Sequence, residues 1–378
     1  MYELIATATF GLEAVVRREV EGLGYKIIKT EDGKVTFAGD ERAIVRSNLW
    51  LRSADRVLLK ACEFDALTFE DLFQGIKTYP WEDLIPADGK FTVTCSTVKS
   101  KLHNPPAIQS VSKKAVVERM SAAYGQEHFS ETGAEYTIKV TMLKDRATIT
   151  VDTSGTGLHK RGYRVAPVDA PMKETLAAAL VELSFFRPGR VLVDPCCGSG
   201  TIAIEAAMIA MGVAPGLSRN FACEGWDIIP EDVWKEERAE AFASIQQPDD
   251  VTTGRIFASD INPKAVAAAR ENAAEAGVEE CIAFSRADVK DLDKLVSGER
   301  GIIITNPPYG ERIGEQEEID KVFKALRSFC SSHSDWSLFV ITPDKDAEKK
   351  IMGRRADRRR KLYNGNIETT YYQFHGIK

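Results

Sequence analysis

The apolar positions along the chain keep two different rhythms, one on either side of about residue 160. Before it they alternate or recur at helical spacing. "YELIATAT" reads as a strand, and Leu12, Val15, Val16, Val20 and Leu23 then share one helical face that Gly24 stops. "KIIKTEDGKVTFAG" predicts a hairpin, and a helix is expected around 40–54. A second α+β stretch follows from about 61 to 155. "KFTVTCSTV" alternates as a half-buried strand, and "AEYTIKVTMLKDRATITVDT" predicts a hairpin turning at Lys144-Asp145. Between them "PPAIQSVSKKAVVERMSAAYG" has prolines at its start, helical spacing within and Gly125 at its end.

Beyond "TSGTGLHKRGYRVAPVDAPM" (153–172), whose Gly, Pro and small polar residues suit a linker, the strands become continuous apolar runs. "RVLVD" (190–194), "RIFASD" (255–260), "CIAFSRAD" (281–288), "GIIIT" (301–305) and "WSLFVIT" (336–342) suit a parallel sheet covered on both faces. Helices are expected between them at 199–211, at 262–276 with Asn262 as N-cap and Pro263 first, and at 318–331. Asn364-Gly365 predicts a tight turn into a last, antiparallel strand at or near the sheet edge.

Composition narrows the class. With 378 residues, 44% apolar and 28% charged, the chain suits a multi-domain globular protein. No run approaches the ~20 apolar residues of a membrane span, and the start lacks a cleavable signal pattern, so a cytoplasmic protein is expected. Seven cysteines without a C-x-x-C pair argue against disulfides and against a structural metal site. The net charge of −6 does not point to nucleic acid, but local cationic stretches do. These are "RRADRRRK" (354–361), the loop with Lys99 and Lys101, the helix face with Lys113 and Lys114, and the linker with Lys160, Arg161 and Arg164. Each run alone is equally a solvated face.

Chemistry gathers at strand ends. In "VLVDPCCGSGTIAIEAA" a buried strand delivers Asp194, and a turn with Gly198 and Gly200 leads into a helix whose first N–H groups face a ligand. Gly198-x-Gly200-x-x-Ala203 also fits a dinucleotide fingerprint, so the glycines alone leave nicotinamide cofactors and S-adenosylmethionine both open. Asp260 in "FASDINP" could accept bonds from ribose hydroxyls, and Asp288 in "SRADV" could meet an adenine amine. Each acid alone is an ordinary helix cap; three at successive strand ends of one sheet mark a ligand edge. "GIIIT" then runs into Asn306, Pro307, Pro308 and Tyr309. Two prolines stiffen this corner and bias Asn306 away from helix. If the Asn306 side-chain oxygen and the Pro307 carbonyl accept both N–H bonds of a nucleobase exocyclic amine, the nitrogen moves toward tetrahedral geometry and its lone pair is freed to attack a methyl sulfonium. Tyr309 offers a stacking face. The bland reading is a rigid turn closing a strand. Cys196 and Cys197 invite covalent thiolate attack on a pyrimidine instead, but they lie in the cofactor turn.

Together "DPCCGSGT", "SDINP", "RADV" and "NPPYGER" resemble the amino-methyltransferase branch of S-adenosylmethionine-dependent enzymes. With "TSGTGLHKRGYR", "APMKETLAAAL" and "FACEGW", most of the chain resembles the bacterial THUMP-domain RNA methyltransferases, specifically the guanine-N2 methyltransferases of 23S ribosomal RNA, whose older label is N6-adenine-specific DNA methylase. The resemblance implies an α/β fold: a ferredoxin-like segment (1–60), a THUMP domain (61–155), a linker (156–172) and a Rossmann-like domain with a mainly parallel seven-stranded sheet (173–378). It implies S-adenosylmethionine held by Asp194, Gly198 and Gly200 at its methionine part, Asp260 at the ribose, Asp288 at the adenine and Thr175 near the carboxylate, with Cys196, Thr201 and Ile261 also among the cofactor-binding residues. Asn306, Pro307 and Tyr309 would activate the amine. Structured RNA, 23S rRNA or an assembly intermediate of the large subunit, is the implied partner. An adenine-N6 methyltransferase on DNA or RNA, a non-catalytic RNA-binding assembly protein and a hydride-transfer enzyme stay open beside it.

Overall fold

The computed structural model describes residues 1–165, 171–248, 255–296, 300–309 and 315–377. The first half holds β1 (Tyr2–Ala8), α1 (Glu13–Gly22), β2 (Lys26–Glu31), β3 (Lys34–Gly39), α2 (Glu41–Trp50), β4 (Ala54–Asp65), α3 (Phe69–Lys77), β5 (Lys90–Val98), α4 (Pro105–Tyr124), β6 (Glu135–Leu143) and β7 (Arg146–Asp152). Next come α5 (Glu174–Leu183), β8 (Val191–Asp194), α6 (Thr201–Ala210), α7 (Glu231–Ala243), β9 (Ile256–Asp260), α8 (Pro263–Glu275) and β10 (Ile282–Arg286). The last are β11 (Gly301–Thr305), α9 (Glu315–Ser332), β12 (Ser337–Thr342), α10 (Ala347–Met352), β13 (Arg358–Asn364) and β14 (Ile367–Phe374). They divide into two units. One comprises 1–8, 16–158 and 219–240; the other comprises 9–15, 159–218 and 241–378.

The first unit is built on one sheet in the order β2-β3-β1-β4-β7-β6-β5. β4 is long enough to pair with β1 on one side and β7 on the other, so the two α+β stretches read from the sequence share one continuous sheet. Only β5 and β6 run parallel, a pairing that needs a crossover, and α4 lies in it. Asn104 caps α4 by accepting from the Ala107 N–H, Pro105 occupies its first turn, and Gly125 closes it at φ 68°. Lys144 and Asp145 both take positive φ, 52° and 65°, which makes the β6–β7 connection a primed two-residue turn without glycine. Asp145 accepts from the Lys101 N–H at 2.6 Å, fastening that turn to the loop that leaves β5.

Residues 219–240 join this unit through their aromatics. Phe221, Trp226 and Trp234 are buried in its core, and Trp226 stacks on Tyr136 at 4.7 Å while its indole N–H donates to the Glu135 carbonyl. Sequence order alone carries this segment with the C-terminal domain, because the residues it packs against lie far upstream. Likewise Leu12 and Val15 belong to the core of the second unit, whereas Val16 and Val20 belong to that of the first.

The second unit has the sheet β10-β9-β8-β11-β12-β14-β13. The first five strands are parallel and β14 is antiparallel to both neighbours. The continuous apolar runs have a direct cause: both faces are covered. Leu192, Ile302, Ile304 and Phe339 enter one core with α5, α6 and α8, while Val191, Val193, Ile303 and Leu338 enter the other with α9 and α10. Because β13 reverses β14, which reverses β12, its C-terminal end returns to the edge where β8, β9 and β11 end. Asn364 arrives at that edge, so the outermost strand is β13 rather than the last strand in the sequence.

Candidate active site

Asp194 closes β8 only 1% exposed, and its carboxylate accepts from the Cys196 N–H at 3.2 Å. Burial, with the charge of Asp260 adding to it, pushes its pKa up to about 7. Asp260, at the end of β9, accepts from the Gly198 N–H at 3.0 Å and from the Asn262 N–H at 2.9 Å. One carboxylate thus fixes both the glycine turn and the start of α8. Gly198 sits at φ 52°, and a Cβ built on it meets no atom within 4 Å. Space therefore opens above the turn. Gly200 is different: at φ 81° it faces α8, where a Cβ would come within 2.9 Å of the Ala269 Cβ. The first glycine leaves room, the second lets two helices close.

At the third strand end, Asp288 is half-buried and its carboxyl lies below the usual range, chiefly because it accepts from the Lys290 N–H at 3.0 Å. It caps the turn that follows β10. Ile261, beside Asp260, is 63% exposed. Thr175 is buried in the first turn of α5, and Thr201 in that of α6. Burial, then the Asp194 carboxylate, drives the Cys196 and Cys197 thiols well above their ordinary pKa, so neither supplies a ready thiolate. An open space over a positive-φ glycine, edged by Asp194, Asp260 and an uncovered Ile261, fits the amino-acid and nucleoside parts of S-adenosylmethionine.

The Asn306 corner follows β11. Pro307 is buried, Pro308 exposed, and Asn306 and Tyr309 half-buried. The Tyr309 hydroxyl donates to Oδ1 of Asn306 at 2.5 Å and accepts from Nδ2 of Asn364 at 3.4 Å. Burial pushes the Tyr309 pKa up to about 12. The remainder of the quoted motif, 310–312, lies outside the described residues.

The cations expected on RNA divide. Lys99 and Lys101 are exposed where the loop after β5 meets the Lys144-Asp145 turn. Lys113 and Lys114 are exposed on α4, but Lys114 lies 3.7 Å from Glu118 and 5.7 Å above the Phe73 ring, and Lys113 lies 5.8 Å above Phe91. Lys160 is exposed. Arg161 and Arg164 are turned inward, against the expectation. Arg161, 3% exposed, pairs at 3.4 Å with Glu205 of α6, which also accepts from the Tyr163 hydroxyl. Arg164 donates to Glu174, Ser199, Thr201 and the Met172 carbonyl, bracing the first turns of α5 and α6. Sequence reasoning missed this bracing role, and it missed Asn364, read only as a turn residue. Among the described residues no cluster of three His, Cys, Asp or Glu is placed to hold a metal, and no helix is long and apolar enough to cross a membrane.

These relations define a class: a Rossmann-like methyltransferase that works with S-adenosylmethionine. The chain belongs to the family of the RMKL-like methyltransferase domain, which matches residues 161–373, and it also carries an RlmL ferredoxin-like domain at 3–58 and a THUMP domain at 66–152. It is 47% identical, over 99% of its length and 96% of the other chain, to the Bacillus subtilis (strain 168) protein YpsC, an RNA methyltransferase by name. A solved Listeria monocytogenes str. 4b F2365 protein, which carries the name N6-adenine-specific DNA methylase, superposes with a TM-score of 0.93 at 43% identity, covering 100% of this chain and 96% of that one. SMU.472, solved in complex with SAH, also gives 0.93, at 40% identity over 100% and 98% of the chains.

Proposed function

We propose that the protein transfers a methyl group from S-adenosylmethionine to the exocyclic N2 amine of a guanine in RNA, with 23S ribosomal RNA as the substrate. The observation that carries the reading is the Asn306 corner, ending β11 at the strand edge that carries Asp194 and Asp260, in a chain that also holds a THUMP domain. Bound S-adenosylmethionine supplies a methyl on a sulfonium centre that an amine can displace. Asp194 and the Gly198 turn would hold its methionine part, Asp260 and Ile261 its ribose, Asp288 its adenine. Asn306 keeps a lone pair beyond the one that Tyr309 occupies, since an amide oxygen has two. That lone pair and the Pro307 carbonyl accept the N–H bonds of the target amine and orient its own lone pair. Tyr309 offers its ring face to the extruded base. The proton left on the methylated nitrogen passes to solvent. Glycine turn, acids and corner together make the work one of orientation, without a strong base.

The same corner accepts an adenine N6 amine, and the name of the Listeria relative supports that second reading. Labelled-methyl transfer to ribosomal RNA from cells lacking the protein, followed by nucleoside analysis, separates the two. N2-methylguanosine is expected. N6-methyladenosine would overturn the choice of base, and no transfer would overturn the RNA reading.

A further inference from the structure

The sheet brings more than Asn364 to the target side. Tyr363, the preceding residue of β13, meets the edge of the Phe10 ring at 6.3 Å and 74°, and Phe10 is 49% exposed. Such an exposed aromatic would ordinarily swing free. This one is held by the two residues that follow it. Leu12 is buried in the core of the second unit, Arg360 donates to the Gly11 carbonyl at 2.8 Å, and Gly11, at φ 90°, lies so close to β13 that a Cβ would stand 2.5 Å from the Lys361 carbonyl. Phe10 thus stands outside the matched methyltransferase domain in sequence, yet is fixed beside the strand whose last residue touches Tyr309.

The basic side chains of this strand are mostly paired. Arg358 is exposed at the far end of the same strand, Arg359 lies 2.9 Å from Glu348, and the Lys361 ammonium lies 5.6 Å above the Tyr363 ring while pairing with Glu368 at 2.7 Å. Glu368 also accepts from the Tyr363 hydroxyl. An aromatic pair on the strand whose last residue donates to Tyr309 matches the chemistry of single-stranded nucleic acid, in which bases stack on aromatic faces.

We propose that Phe10 and Tyr363 form a stacking subsite for the base adjoining the target nucleotide, so that the RNA strand is gripped beside the base that enters the Asn306 corner. The assignment rests on the reading of that corner as the acceptor of a base from RNA. Asn364 couples the two, because it ends β13 and donates to Tyr309.

The test uses the full chain and an RNA fragment spanning the nucleotide mapped by labelled-methyl transfer. Phe10→Ala raises KM for the fragment roughly ten- to hundred-fold, with S-adenosylhomocysteine affinity unchanged; Phe10→Trp restores it. An abasic nucleotide on one side of the target lowers affinity for the parent protein to the same degree, and adds nothing to the loss in Phe10→Ala. An unchanged KM in both Phe10→Ala and Tyr363→Ala overturns the subsite while transfer by the parent stands, as does full additivity with the abasic fragment. Absence of transfer by the parent overturns the RNA reading and the subsite with it.

Discussion

The Tyr309 hydroxyl and Oδ1 of Asn306 lie 2.5 Å apart, with the phenol as donor. With the amide oxygen turned to the phenol, the phenol donates and one lone pair of that oxygen stays open. With its pKa pushed up to about 12, the phenol keeps that proton throughout the range in which proteins work. Tyr309→Phe, which retains the ring, is therefore expected to lower kcat by about tenfold with little change in KM for RNA, the loss of about one hydrogen bond's orientation. Asn306→Ala is expected to abolish transfer while S-adenosylhomocysteine still binds. Equal kcat in the parent and Tyr309→Phe would remove the amide-orienting role.

The two glycines of the turn predict opposite failures. Gly198→Ala places a methyl in open space, so it costs only the about 1–2 kcal/mol of a strained backbone and mainly obstructs the cofactor. Gly200→Ala adds a clash with Ala269 to the same strain, and a further loss of about 1–3 kcal/mol is expected. Urea unfolding and calorimetric titration with S-adenosylhomocysteine distinguish them. A Gly198→Ala protein that binds normally would show that the space is not the cofactor's.

Asp194 sets a pH dependence. Its folded pKa, about 7, lies above the ordinary aspartate value of 3.8, so the folded state holds a proton that the unfolded chain has released. The contribution is fully present below about pH 4 and is lost as pH rises toward 7, by about 1.4 kcal/mol per unit at most. Asp194→Asn is expected to lack this decline. Parallel stability curves for the two proteins between pH 4 and 7 would contradict the buried acid.

Arg161 and Glu205 form a pair in which each needs the other. Arg161→Met leaves a buried carboxylate uncompensated and is expected to cost about 3–5 kcal/mol, whereas the double change with Glu205→Leu recovers most of it. Neither should change the salt dependence of RNA binding. A shallower salt slope in the double variant would return Arg161 to the RNA-facing set.

Lys99 and Lys101 are expected to matter more than Lys113 and Lys114. Glutamate at the first two should flatten the slope of log affinity against log salt by about 0.7–0.9 for each phosphate that is no longer neutralised. Reversal at Lys114 should change it less, because Glu118 already meets that charge. Filter binding of ribosomal RNA across a salt series decides the order.

The parts of the fold that the sequence makes readable are those whose cause is local. Ile302, Ile303 and Ile304 read as a strand buried on both sides because alternate residues do enter separate cores. That Asp194, Asp260 and Asn306 stand at one edge was readable because in a parallel sheet the end of an apolar run is also a place in space. Arg161 was not, since its partner lies 44 residues away and only packing shows that a linker cation is buried. Nor was Asn364, which reaches Tyr309 only because two strand reversals return β13 to the edge where β11 ends.

Two short stretches, 9–15 and 219–240, complete cores to which their neighbours in the chain do not belong. On the ribosome, the amino-terminal sheet cannot bury Tyr136 under Trp226 until about three fifths of the polypeptide has emerged. The carboxy-terminal sheet, finished last, still draws on Leu12, among the first residues made. Maturation is consequently interleaved, and a protease nick in 156–172 would separate neither half with a whole interior.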